Sequence, residues 1–132
     1  MALVLDASVA ASWAFADEDH PVAFAARERL RAEPASAPAL WWFEVRNALL
    51  VSERRGRLSE ADTKTFLADL AALSVSIDYA PDETAIYNFA RRHRLTFYDA
   101  AYLELAGRLN APLATLDKKL AVAAAAENIP LL

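Results

Sequence analysis

Short apolar runs alternate with longer stretches in which apolar residues recur every three or four positions along this 132-residue chain. Leu3–Leu5, residues 75–77 and residues 113–116 read as strands, because each is a brief β-type run. Residues 9–16, 22–31, 82–92 and 118–126 read as helices following such runs. This order predicts a parallel α/β sheet. Pro34 and Pro38 bracket what reads as a short connection. Residues 40–55 then read as one helix, with Leu40, Phe43, Ala48 and Val51 near one face and Gly56 ending it. Ser59, followed three residues later by Asp62, has the form of a capping box for a helix over 60–73. The pair predicts an αα-hairpin inserted into the alternation, a candidate clip or lid. A further helix begins around Phe97, Tyr98 and Asp99 and runs to about Leu109. Without an internal repeat or a dividing linker, the expectation is one three-layer α/β/α domain over residues 1–132, with a central parallel sheet and a minimal last strand at 128–132.

Composition narrows the chemistry. At 56% hydrophobic and 24% charged residues the chain is too apolar to be disordered. Only two glycines are present, Gly56 and Gly107, which excludes Gly-rich phosphate loops. The lack of cysteine excludes disulfides, thiolate zinc sites and a cysteine nucleophile, and fits a reducing cytoplasm. The longest clean apolar run, 120–126, is far shorter than the roughly 20 residues that span a bilayer, and no basic leader precedes the first acid, so a soluble protein without membrane contact is expected. A net charge of -4 argues against a wholly basic nucleic-acid binder, while a local basic patch or bound cations still allow phosphate to approach.

Four of the 18 acidic residues sit where a solvated surface charge would not. Asp6 follows Leu3–Leu5 and Asp117 follows 113–116, placing both at the carboxyl ends of expected parallel strands, where open α/β sheets hold ligands. Glu44 lies within Trp41, Trp42, Phe43 and Val45, with Asn47 three positions on along the same side. Asp99 lies in an aromatic-rich first helical turn. Each has an ordinary alternative: Asp6, Ser8 and Asp117 as helix N-caps, Asp99 as half of a capping box with Thr96, Glu44 as a partner of Arg46. Convergence of all four would be costly, since carboxylates about 6 Å apart at an effective dielectric of about 20 repel by about 3 kcal/mol per pair. Raised pKa values or a divalent cation relieve that cost, and hard oxygen donors select Mg²⁺ or Mn²⁺ over zinc. Such a site serves phosphoryl transfer or phosphodiester hydrolysis without a protein nucleophile.

Other constellations are poorly supported. His20 and His93 stand in unrelated contexts, which leaves little for a metal-free acid/base pair or a Ser-His-Asp triad. Arg91, Arg92, His93 and Arg94 read either as a solvated helix end or as a phosphate-binding rim. Arg54, Arg55 and Arg57 are similar candidates, as are Lys118 and Lys119 beside Asp117.

Asp6-Ala-Ser8, Glu44-Val-Arg-Asn47-Ala-Leu, Tyr98-Asp99-Ala-Ala-Tyr102 and Thr115-Leu-Asp117, in this order over essentially the whole length, resemble the PIN-domain nucleases and among them the VapC-type toxins. The resemblance implies a PIN-like domain in which Asp6, Glu44, Asp99 and Asp117 are catalytic and bind one or two Mg²⁺ or Mn²⁺ ions, with Ser8, Asn47 and Thr115 as polar support. It implies RNA cleavage by a metal-activated water, leaving a 5′-phosphate and a 3′-hydroxyl, on transfer RNA or a ribosomal RNA loop. Arg91, Arg92, Arg94, Lys118 and Lys119 are the expected phosphate contacts. It further implies a homodimer held inactive by a cognate antitoxin lying in a groove near the helical hairpin, which Trp13, Trp41, Trp42 and Phe43 would line unless they serve core or dimer packing. Two other classes compete: a catalytically silent metal-binding interaction module, and a phosphotransfer protein, for which Asp6-Ala-Ser8 lacks the second acid.

Overall fold

The computed structural model describes residues 2–132. Four strands, β1 (Leu3–Leu5), β2 (Ala35–Pro38), β3 (Val75–Asp78) and β4 (Leu113–Ala114), form one sheet in the order β3-β2-β1-β4. Every pairing is parallel, with Leu3 opposite Ala35, Val4 opposite Leu113 and Ala35 opposite Val75. Leu3, Val4 and Leu5 are wholly buried, as a continuous apolar run in a central parallel strand should be. Seven helices flank the sheet: α1 (Ala7–Ser12), α2 (Pro21–Arg29), α3 (Leu40–Arg54), α4 (Glu60–Ala71), α5 (Glu83–His93), α6 (Phe97–Leu109) and α7 (Lys118–Ala126). The α/β class with an inserted helical hairpin is as the patterning predicts.

Helix α6 is the spine of the packing. It touches β1, β2 and β4 and lies against α5 and α7, and Ala100 through Ala106 are all buried. A helix apolar nearly all round belongs in the interior. Helix α1 packs on α2 and α3, and α2 reaches β4.

Three expectations are corrected. Residues 35–38, expected as a connection between prolines, form the second strand of the sheet. Ala, Ser and Pro have little β propensity, and what suits Ala35 and Ala37 to this place is size, because α6 packs directly on β2. The face of α3 that enters the core is Trp41, Val45 and Leu49, whereas Phe43 is 70% exposed. The final segment contributes a single parallel bridge, Leu131 to Leu113, in place of a strand.

The hairpin is locally encoded. After α3, Arg57 N–H donates to the Ser52 carbonyl and Gly56 N–H to that of Glu53, the paired bonds of a Schellman cap, with Gly56 at φ +75°. Ser59 and Asp62 make both bonds of the capping box of α4. Thr63 Oγ1 then donates to Glu53 Oε2 at 2.6 Å, tying the two helices. Gly56→Ala is expected to lower stability by about 1 kcal/mol, because a β-carbon there meets no atom but must adopt the left-handed region. Gly107→Ala, inside α6 with only Ile129 Cδ1 at 4.0 Å from the added carbon, should be neutral or stabilising, and urea unfolding of the two variants checks the contrast.

Candidate active site

The carboxyl ends of β1 and β4 carry Asp6 and Asp117, and their adjacency in the sheet brings the two segments together. Asp6 stands at the N-cap of α1, yet its side chain makes no cap bond. Its Oδ2 instead accepts hydrogen bonds from Ser8 Oγ at 2.6 Å and Thr115 Oγ1 at 2.7 Å. Those hydroxyls in turn accept from the backbone across the strand ends, Ser8 Oγ from Leu116 N–H and Thr115 Oγ1 from Asp117 N–H, each at 3.0 Å. Asp117 does cap α7, its Oδ1 accepting from Lys119 N–H at 2.9 Å and Leu120 N–H at 3.1 Å.

Glu44 and Asp99 arrive from α3 and α6. Glu44 does not pair with Arg46, whose guanidinium lies 3.9 Å above the Trp42 ring. Glu44 Oε1 accepts from the Tyr102 hydroxyl at 2.7 Å, and that hydroxyl accepts from Ala7 N–H at 3.4 Å. Asp99 sits in the first turn of α6, where its N–H donates to Thr96 Oγ1 at 3.0 Å. Tyr102 is the residue that the four-acid reading overlooks. Its sequence signals are its place in the Tyr98-Asp99-Ala-Ala-Tyr102 motif and a polar tip three positions after Asp99, on the same side of a helix of small apolar residues. Asn47, by contrast, is exposed and bonds to none of the four acids.

The acids sense one another. Burial raises the proton affinity of Asp6, Glu44 and Asp99 in each case as the largest influence. The charges of Asp117 and Asp6 add to this at Asp99, those of Asp6 and Asp99 at Glu44, and that of Asp117 at Asp6. Burial and then the Asp6 and Glu44 charges hold the Tyr102 phenol far above its usual range, so it serves permanently as a donor to Glu44.

The basic residues divide. Lys119 Nζ donates to the Arg94 carbonyl at 2.6 Å, and its charge reaches Asp99. Arg92 and His93 both engage Glu127, and Arg91 lies 5.0 Å above the Tyr87 ring, so this stretch is a partly neutralised helix end. Arg94 and Lys118 are exposed. The expected aromatic groove is also divided: Trp41 is core, Trp42 and Phe43 meet edge to face on the outside of α3, and Trp13 faces a separate cavity.

All-oxygen donors of this kind fit a hard divalent cation. Among the described residues no three His, Asp or Glu side chains close into a ready-made cage.

The PIN domain family model matches residues 3–126. The chain belongs to the PIN-domain family. Within it, the chain is similar to Ribonuclease VapC3 of Pyrobaculum aerophilum, 35% identical over 125 residues covering 92% of this chain and 93% of the relative. It is also similar to Ribonuclease VapC1 of Mycobacterium tuberculosis, 38% identical over 100 residues covering 74% of this chain and 73% of the relative. The fold of this PIN domain resembles the crystal structure of PAE2754 from Pyrobaculum aerophilum with a TM-score of 0.73 at 24% identity, over 93% of this chain and 84% of the other. No helix of the described residues is long and apolar enough to cross a membrane.

Two outcomes are expected of the metal-free PIN domain. Because the native state holds protons on Asp6, Glu44 and Asp99 more tightly than the unfolded chain, the stabilisation from those protons is complete below the ordinary carboxylate range of about 4 and is lost as pH rises through the raised values. Asp6→Asn removes one buried charge, so in EDTA the variant should gain stability over the wild type as pH rises towards neutrality, measured by thermal unfolding across that range. Tyr102→Phe strips Glu44 and Ala7 N–H of a partner and should cost about 1 kcal/mol in the same assay.

Proposed function

We propose that this PIN domain is a metal-dependent endoribonuclease, the toxin of a toxin–antitoxin pair, acting on transfer or ribosomal RNA. The observation that carries the reading is that four carboxylates from four separate segments stand within electrostatic reach at the carboxyl edge of the sheet, three of them with raised proton affinity and no ion pair among the described residues. The naming of similar proteins as VapC ribonucleases gives that arrangement its reaction.

In this reading Asp6, Glu44, Asp99 and Asp117 hold one or two Mg²⁺ or Mn²⁺ ions. When bound, the cation acidifies a water and offsets charge on the phosphate in phosphodiester hydrolysis. The protein's own part is positioning. Ser8 and Thr115 aim Asp6, Tyr102 aims Glu44, and the cap bonds of Asp117 fix its Oδ1 towards α7. Lys119, anchored on the Arg94 carbonyl, places a cation beside Asp99 for the RNA backbone, with Lys118 and Arg94 as exposed neighbours.

The cognate antitoxin belongs to the same proposal. A cavity of about 640 Å³ between the end of α1 and the hairpin, lined by Trp13, Phe15, Leu58 and Phe66, suits an apolar segment of such a partner, and Arg57 and Asp62 at its rim offer both charges. A homodimer would cover the exposed Trp42 and Phe43.

The test is incubation of purified, partner-free protein with end-labelled total RNA in Mg²⁺, Mn²⁺ or EDTA, beside Asp99→Asn. Metal-dependent cuts with 5′-phosphate ends, lost by at least about 100-fold in the variant, are expected. Cation binding by calorimetry without cleavage of any RNA would replace the enzyme with a silent interaction module.

A further inference from the structure

At the same end of the sheet as the four acids, beyond the ends of β2 and β3, lies a cavity of about 360 Å³. Leu40 of α3 forms one wall, Tyr79 and Pro81 of the loop after β3 another, and Phe97 and Tyr98 of α6 a third. Two of its walls belong to the helices that carry Glu44 and Asp99. Leu40 stands one turn before Glu44 on the same side of α3, about 6 Å along the axis, and Tyr98 directly precedes Asp99.

The walls and the floor carry different chemistry. Tyr79 is 81% exposed and Tyr98 64%, and neither ring stacks on another aromatic ring among the described residues. Flat, solvent-facing rings of this kind are platforms for another flat group. The floor is ionic but closed. Arg108 donates through Nε and Nη2 to Glu104 at 2.6 and 3.0 Å, and through Nη1 and Nη2 to Asp78 at 3.2 and 2.6 Å. Glu104, only 3% exposed, also accepts from Asp82 N–H at 3.2 Å. Two carboxylates share one guanidinium, so the floor keeps a net negative charge. A phosphate is repelled there, whereas a neutral planar group finds apolar walls and two rings at the mouth.

We infer that this cavity receives one unpaired nucleobase of the RNA next to the phosphate that is cut, stacked on Tyr98 and Tyr79. The inference rests on the ribonuclease reading above. Unstacked bases on aromatic side chains are the usual means of reading single-stranded RNA, and a cavity of this size admits a base with room to spare.

The experiment uses a single-stranded RNA oligonucleotide that the wild-type protein cuts in Mn²⁺, with each base in turn replaced by an abasic site, against the wild type and a Tyr79→Ala/Tyr98→Ala double variant. Both side chains are exposed, so the variant should keep the wild-type thermal midpoint. One abasic position at a fixed distance from the cut is expected to raise KM about 10-fold for the wild type and to have little further effect on the variant, whose KM is already raised on intact RNA. Tyr98→Phe should retain most of the affinity, and a photoreactive base at that position should crosslink to Tyr79 or Tyr98. A flat abasic scan and an unchanged KM in the double variant, with wild-type cleavage intact, overturn the base site and leave the nuclease standing, giving the cavity to a protein side chain. A wild-type protein that neither cuts nor crosslinks any RNA removes both readings.

Discussion

A carboxylate buried at the end of a central strand is costly to ionise, and two hydroxyls hold it there. Ser8 and Thr115 both donate to the same oxygen of Asp6, and both accept from the backbone of the segment that leads into Asp117. One short network therefore fixes the Asp6 rotamer, joins the ends of β1 and β4, and sets where α7 begins. Its geometry requires β1 and β4 to be parallel neighbours, since an antiparallel partner would carry Thr115 to the opposite edge of the sheet. The strand order and the acid site are thus consequences of one another. Tyr102 repeats the device from α6, with its hydroxyl between Ala7 N–H and Glu44.

The parts that were legible in the sequence have local chemistry. Leu3–Leu5 announces a buried strand by bulk alone, and the hairpin is announced by Gly56 and by the Ser59–Asp62 pair, all of which perform as residue-level rules require. The parts that were not legible depend on what lies opposite. Ala35 and Ala37 are fully buried in a strand on which α6 packs, and a chain of small residues between prolines carries no trace of that neighbour. Phe43 is hydrophobic yet faces outward, because Trp41, Val45 and Leu49 already fill the inner face of α3. The four acids were legible as a set. The hydroxyl of Tyr102 was not, since nothing short of the folded structure aims it at Glu44. The run from Arg91 to Arg94 looked like one basic rim, and Glu127, more than thirty positions away, divides it.

Burial alone does not set the acids of the candidate site apart. Glu104 is among the most deeply buried acids in the molecule, but Arg108 meets it with two donors and Asp82 N–H with a third, which is a structural arrangement. Asp78, against the same guanidinium, and Glu127, between His93 and Arg92, hold their protons less tightly than ordinary carboxylates. Asp62 does the same by capping α4. Asp6, Glu44 and Asp99 shift the other way, because the chain desolvates them, crowds them together and gives them hydroxyl and phenol partners but no guanidinium. Hydroxyl partners orient a carboxylate without cancelling its charge. A site built so keeps its negative field available to a cation from solvent, and it is this missing countercharge, placed at the edge where β1 and β4 end, that separates the acids of the candidate site from the acids of the scaffold.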